Sequence, residues 1–329
     1  MSALRVAVVA GGASSEAGVS RASAAGVMRA LQDAGHEPTL LELDAALAGK
    51  LLAGAFEVVF PAVHGRFGED GCLQGLLEIL GVPYVGSGVL ASSLAMSKPH
   101  AKAQLRPLGF PLAAEVLVTA GVDLAEAARA IRGKLGAAVV VKPYAGGSAI
   151  GVEPIAASAP DAELAAALGR ALELDPGVLV EERKAGKEVT CGVLEDEHGV
   201  ARALPPTLIL PKAAGFYDFR SKYAPSGSVH QCPPPFPKPL LERISELAVN
   251  AHRALGCRDL SRVDFVVDDE RGELTVLELN TLPGMTATSL FPEAAAVAGM
   301  AFPALCDHLV RRALAHPRLP AAVGLPMPT

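Results

Sequence analysis

The chain has 329 residues, of which 50% are hydrophobic and 19% charged, with a mean hydropathy of +0.34 and a formal net charge of −6. That length suggests two or three domains, and that composition excludes disorder as the default. With no basic stripe interleaved with aromatics, nucleic acid is excluded as a partner. No apolar run reaches the roughly 18 to 20 residues of a spanning helix, so no membrane segment is expected.

Val6–Ala10 reads as a buried parallel strand, and Gly11-Gly12 leads into a helix over Ser20–Ala34. The apolar run Leu4–Ala10 is too short for a secretory signal. Five scattered cysteines without a C-x-x-C fit a reduced cytoplasm. Strands are expected at Glu37–Leu43 and Val58–Val63, and a helix at Leu73–Leu80. This β-α-β alternation marks an α/β unit. The first turn, Gly11-Gly12-Ala13-Ser14-Ser15-Glu16, is not G-x-G-x-x-G, which argues against a dinucleotide site. His64-Gly65-Arg66-Phe67-Gly68-Glu69-Asp70-Gly71 follows a strand. It is either a ligand loop at the C-terminal edge of a sheet or a polar turn that His64 caps.

Gly86-Ser87-Gly88 opens a helix ending near Met96, which closes a first domain at residues 1–97. A central unit over 98–183 has strands at Ala113–Val118 and Ala138–Lys142 with a helix at Leu124–Leu135 between them. Lys142–Gly151 is glycine-rich. It either cradles phosphate with its backbone donors beside Lys142 or is a plain turn; no Gly-Lys-Ser/Thr closes it as in a P-loop. A helix follows at Asp161–Leu174, then strands at Val178–Arg183 and Glu188–Leu194. Residues 184–316 form a last unit, with helices at Leu240–Leu255 and Phe302–Ala315, and 317–329 a Pro-rich, frayed tail. Ala214–Pro235 has no hydrophobic period. A stretch so long is a lid or a mobile surface loop, with Lys222 and Tyr223 as its candidates for chemistry.

The strongest chemical signal is Ser261–Thr288. Arg262-Val263-Asp264-Phe265 and Leu277-Glu278-Leu279-Asn280 flank a polar, Gly-containing segment, the pattern of a hairpin. Closed symmetrically about Arg271, it sets Asp264 opposite Glu278 and Arg262 opposite Asn280. The reverse face is then Val263, Phe265, Val267, Thr275, Leu277 and Leu279, a core face. Two carboxylates and an amide beside a guanidinium suit Mg²⁺, which takes one or two carboxylates plus substrate phosphates. The bland alternative is an exposed strand pair with a cross-strand ion pair.

The ordered set of these motifs, ending in Thr281-Leu282-Pro283-Gly284-Met285-Thr286, resembles the D-alanine–D-alanine ligase family of the ATP-grasp superfamily. The resemblance runs from about Val6 to about Leu314. It implies an ATP-grasp fold: an N-terminal Rossmann-like parallel-sheet domain, a small central α+β domain and a C-terminal α+β domain. It further implies a cytoplasmic homodimer that joins two D-alanines for peptidoglycan, using ATP and two Mg²⁺ (or Mn²⁺). By resemblance, Lys98 and Lys142 contact ATP phosphates, the backbone of Glu181, Glu182, Arg183 and Lys184 holds adenine, and Glu188 takes the ribose hydroxyls. Asp264, Glu278 and Asn280 bind the metals, while Arg262 and the Gly284 N–H face the tetrahedral intermediate. Glu16 holds the first D-alanine's ammonium, with His64 and Glu69 nearby. Ser289 and Leu290 receive the second D-alanine's carboxylate. Lys222 belongs with the substrate residues, and Glu16, Ser148 and Tyr223 close the site.

The chain departs from the family at several places. Glu181-Glu182-Arg183 replaces the usual Glu-Lys-Trp-like segment, and Gly18, Gly146 and Ala149 stand where acids or a second Ser are common. The rival readings are a D-alanine–D-lactate or other carboxylate–amine ligase, an ATP-binding module without turnover, and a hydride-transferring oxidoreductase.

Overall fold

The computed structural model describes residues 2–14, 16–136, 138–211, 227–286 and 288–316. The chain first builds a parallel sheet from β1 (Arg5–Ala10), β2 (Glu37–Glu42) and β3 (Val58–Pro61), in the order β2-β1-β3. β1 is apolar on both sides because both sides are covered. Ala7 and Val9 meet Leu47, Leu51, Leu73 and Leu77 of helices α2 (Leu47–Gly54) and α3 (Cys72–Leu80). Val6, Val8 and Ala10 meet Ala24, Val27 and Leu31 of α1 (Ala17–Asp33). The same cluster contains Phe291, Leu305 and Leu309, so the first sheet completes its core with residues from the far end of the chain.

Two short helices follow, α4 (Val89–Met96) and α5 (Lys98–Leu105), where one helix ending near Met96 was expected. Ser97 between them is extended, and Pro99 sits in the first turn of α5, where its missing N–H costs nothing. The second sheet is antiparallel, with β4 (Glu115–Thr119), β5 (Val139–Pro143), β6 (Glu153–Ile155) and β7 (Gly177–Glu182) in the order β4-β7-β5-β6. Alternate residues Val139, Val141, Val178 and Val180 pack under α6 (Leu124–Leu135) and α7 (Asp161–Leu174). Both helices begin and end where expected. Asp123 explains one start: its carboxylate accepts the N–H groups of Ala125 and Glu126, both at 2.9 Å.

The third sheet has β8 (Lys187–Glu195), β9 (Ala201–Ala203), β10 (Thr207–Pro211), β11 (Ser228–Gln231), β12 (Leu260–Asp268) and β13 (Glu273–Asn280). Its order is β11-β10-β8-β12-β13, with β9 added on β8 and every pairing antiparallel. Its apolar face packs against Leu240, Ile244, Ala248 and Ala251 of α8 (Lys238–Ala254), and against Ala91, Ala95, Ala101 and Leu105 of α4 and α5. Helices α9 (Leu290–Val297) and α10 (Phe302–Leu314) end the described chain. The expectation of an irregular stretch over Ala214–Pro235 is corrected at one end: Ser228–Gln231 is β11, paired to β10. The rest of that stretch up to residue 226, including Lys222 and Tyr223, lies outside the described residues, as does the tail 317–329. Elements α2, α5, α9, β9, β10 and β11 carry too short a pattern to be read from sequence. Among the described residues no single helix is long and apolar enough to cross a membrane.

Candidate active site

The hairpin of β12 and β13 pairs Arg262 with Asn280 and Asp264 with Glu278, as the alternation implies. Beyond Asp264 the register shifts: Phe265 pairs with Val276, Val266 with Thr275 and Val267 with Leu274. Leu277 is the extra residue of a β-bulge. The expected core face is therefore corrected on β13. Leu274, Val276 and Leu279 go to the core, while Thr275 and Leu277 line the cleft instead. A slip of one residue exchanges the two faces of a strand, and here it gives the cleft an apolar wall beside Glu278.

Asp264 is the hub of the polar face. Arg262 donates to it twice, from Nε to Oδ1 at 2.9 Å and from Nη2 to Oδ2 at 2.8 Å. The Thr190 hydroxyl donates to Oδ1 at 2.7 Å, and the Asn280 amide to Oδ2 at 3.1 Å. Such a fork fixes the guanidinium plane as well as its charge. The second sheet faces this hairpin. At its edge Lys98, the first residue of α5, donates Nζ to the Gly146 carbonyl at 2.7 Å and stands 3.6 Å from Glu278 Oε2. One helical turn further along α5, Lys102 is buried against Glu181, whose other oxygen pairs with Lys142. Burial, with the neighbouring Lys142 charge, pushes the Lys102 ammonium down to about 7, and Glu115 opposes the shift. Glu181 thus anchors Lys142 from below.

The glycine-rich loop carries Ser148 and Ala149 in the left-handed region, at φ of 53° and 57°. This curl turns the Ser148 hydroxyl across to the first domain, where it donates to Glu16 Oε1. Glu16 itself is buried between two glycines. A Cβ on Gly65, whose φ is +75°, would lie 2.5 Å from Glu16 Oε2, and one on Gly147 would lie 3.3 Å from both oxygens. Around it, the Gly65 N–H donates to Glu69 Oε2 at 2.7 Å. His64 stands 3.7 Å from Glu69 and 3.1 Å from the Ser23 hydroxyl. On the opposite side, Ser289 Oγ accepts the Thr286 N–H at 3.1 Å and lies 3.0 Å from where a Gly284 Cβ would stand.

One cleft therefore gathers Lys98, Lys142, Glu181, Glu182, Arg183, Lys184, Glu188, Arg262, Asp264, Glu278 and Leu290. Asn280 joins it through Asp264. Gly147 and Ala149 line the cleft and Ser148 between them bonds Glu16, so the Glu16–Ser148–His64–Glu69 group adjoins it. His64 shares a small second pocket with Pro283 and Met285, which flank Gly284. The N–H groups of Glu182 and Arg183 are used internally, by the carbonyls of Ala114 at 2.9 Å and Ala138 at 3.0 Å. Sequence reasoning missed Thr190, Lys102, Glu115 and Ser23. Only Lys102 left a signal, its i,i+4 spacing from Lys98; the others contact the site through folds of the chain.

Two antiparallel sheets that grip one cleft from opposite sides, with charge at both rims, is the way ATP-grasp ligases enclose a nucleotide, and this architecture is of that class. The chain matches the family described as D-ala D-ala ligase C-terminus over residues 103–311, and D-ala D-ala ligase N-terminus over 42–87. It is 42% identical over 318 residues to a D-alanine–D-alanine ligase of Desulforamulus reducens, covering 95% of this chain and 99% of that one. It is 44% identical over 310 residues to one from Desulforudis audaxviator, covering 94% and 98%. A crystal structure of D-alanine–D-alanine ligase from Bacillus anthracis complexed with ATP superposes with a TM-score of 0.80 at 32% identity, over 95% of this chain and 98% of that one. The chain belongs to the D-alanine–D-alanine ligase family. It is an ATP-dependent ligase that joins D-alanine to D-alanine, and these relatives do not favour the D-lactate alternative.

Proposed function

We propose that the cleft performs this ligation through a D-alanyl phosphate, with each residue in a distinct role. A carboxylate is a poor acyl donor because its leaving group is oxide or hydroxide. Its oxygen attacks the γ-phosphorus of ATP, ADP leaves, and the carboxylate becomes a mixed anhydride. Lys98 and Lys142 face the phosphates, with Lys142 held by Glu181. Glu188, which lines the same cleft as the Glu181–Lys184 wall that borders adenine, takes the ribose hydroxyls. Glu16 takes the ammonium of the first D-alanine, positioned by Ser148 and flanked by His64 and Glu69. The neutral amine of the second D-alanine, its carboxylate at Ser289 and Leu290, attacks the acyl carbon. Arg262 and the Gly284 N–H stabilise the oxyanion, and phosphate departs as the amide forms. Lys222 and Tyr223 are assigned on the resemblance alone, to substrate and closure.

Among the described residues no three His, Cys, Asp or Glu side chains form a ready-made metal cage. The donor set of Asp264, Glu278 and Asn280 instead fits a hard cation that completes its shell with phosphate oxygens. Two Mg²⁺ (or Mn²⁺) at these residues would neutralise the charge that moves from γ-phosphate to acceptor. The setting of a cytoplasmic homodimer making peptidoglycan precursor is proposed from the family.

The observation that carries this reading is the contiguity of the Arg262–Asp264–Glu278 face, the paired lysines and Glu16 around one cleft. The test is phosphate release from ATP and Mg²⁺, measured together with dipeptide, with and without D-alanine and with D-lactate in competition. Phosphate release should require D-alanine and match D-Ala-D-Ala mole for mole. Release indifferent to D-alanine, or a mainly ester product, would overturn it.

A further inference from the structure

A row of cross-strand neighbours crosses the third sheet on its cleft face: Thr275, Val266, Glu188, Ile209 and His230. The first four line the cleft, and His230 is the fifth, on edge strand β11. Cross-strand partners project from the same face of a sheet, so His230 continues the wall on which the nucleotide side is built.

The His230 ring is held at both nitrogens. Nδ1 lies 2.7 Å from Glu293 Oε2, and Nε2 lies 3.0 Å from Ser228 Oγ. With the carboxylate accepting from Nδ1–H, Nε2 of a neutral ring accepts from the Ser228 hydroxyl. The three side chains therefore orient one another. Glu293 stands in the first turn of α9. One turn before it on the same helix face, Leu290 packs on Ile209. Helix α9 is thus fastened to the nucleotide wall at two points, Leu290 on Ile209 and Glu293 on His230. Ile209 and His230 are themselves a register pair. The residue just ahead of this doubly fastened turn is Ser289.

We propose that the Ser228–His230–Glu293 series is a positioning device for the second amino acid of the ligation. It sets the start of α9, and so Ser289 and Leu290, relative to the wall that holds the nucleotide. This rests on the assignment of Ser289 and Leu290 to the second D-alanine. The physical need is clear: the second amino acid must be held by its carboxylate with its amine over the face of the acyl carbon, and a carboxylate seat that is not fixed relative to the nucleotide wall weakens that binding before it alters the attack itself. Phe291, Ala294 and Ala295 already seat α9 in the core; apolar packing sets its depth, and the directional bond from Glu293 to His230 fixes how its first turn is set along the wall.

The test compares His230→Ala, Glu293→Ala, the double variant and His230→Asn, whose amide can still donate toward Glu293. Phosphate and dipeptide are both measured over a wide range of D-alanine at saturating ATP, and then over ATP at saturating D-alanine. The side chains of the pair are 20% and 36% exposed, so solvent weakens their bond. Each alanine variant should raise the KM of the weaker D-alanine subsite about fivefold, and the double variant no more than the worse single one. The ATP KM and kcat at saturation should stay within about twofold. Below saturation, phosphate released per dipeptide should rise above one, because acyl phosphate waits for its amine and meets water. His230→Asn should recover much of the loss. Unchanged D-alanine KM, additive losses in the double variant, or an equal rise in the ATP KM would overturn the proposal. A wild type that makes no dipeptide would instead overturn the underlying ligase reading.

Discussion

Asn280→Asp tests the metal face without depending on turnover. The Asn280 amide nitrogen stands 3.1 Å from Asp264 Oδ2, to which it donates. The substitution replaces that donor by a carboxylate and leaves Asp264 bound by Arg262 and Thr190. Two unit charges at this separation repel by roughly 5 kcal/mol at an effective dielectric of 20. Asn280 is only partly buried, so the new side chain can turn toward solvent. The expected net loss is about 2 kcal/mol, the lost hydrogen bond included. The same pair of carboxylates is a stronger seat for a divalent cation. Urea unfolding midpoints should be measured in EDTA and in excess Mg²⁺, without nucleotide. The variant should unfold at lower urea than wild type in EDTA and regain most of the difference in Mg²⁺. Ligation should still slow, because surplus negative charge faces the γ-phosphate. If Mg²⁺ moves both proteins equally, no cation sits between residues 264 and 280 and the assignment fails.

Three further outcomes follow from the same geometry. Glu278→Gln keeps shape but removes the carboxylate beside Lys98, and steady-state ligation should fall by several orders of magnitude even at saturating Mg²⁺; activity within about tenfold of wild type would count against the metal role. Arg262→Met should lower kcat by roughly 10²–10³ with little change in the ATP KM, and the reverse split would make Arg262 a nucleotide contact. For Glu195, burial alone would raise the carboxyl, but hydrogen bonds with His252, the Asp259 backbone and Arg312 outweigh it and hold it down to about 2 from an ordinary 4.5. Because the folded value is the lower one, its contribution of about 3 kcal/mol is present above pH 4.5 and lost as pH falls toward 2. Glu195→Gln should therefore flatten the dependence of urea midpoint on pH below 4.5, and parallel curves for the two proteins would refute this.

What the sequence determined by itself is what depends on near neighbours along the chain. Period-two alternation about a polar, glycine-containing turn is enough to pair Arg262 with Asn280 and Asp264 with Glu278, and the folded hairpin has both pairs. Helices α6 and α7 were legible to the residue, since amphipathic period is local and, for α6, so is the Asp123 cap. The motif order sufficed for the family. The tertiary structure decided the rest. The bulge at Leu277 moved Thr275 and Leu277 from the core to the cleft, because packing against a neighbouring strand and helix, not alternation, chooses where a register slips. Lys102 and Glu181 meet only when α5 lies against β7, and a buried charge is specified by its partner, whatever their separation in sequence. His230 and Glu293 are 63 residues apart, on elements too short to show a period. The first sheet, finally, is sealed by Phe291, Leu305 and Leu309, because its apolar face needs cover that its own helices do not supply and the last helices of the described chain do.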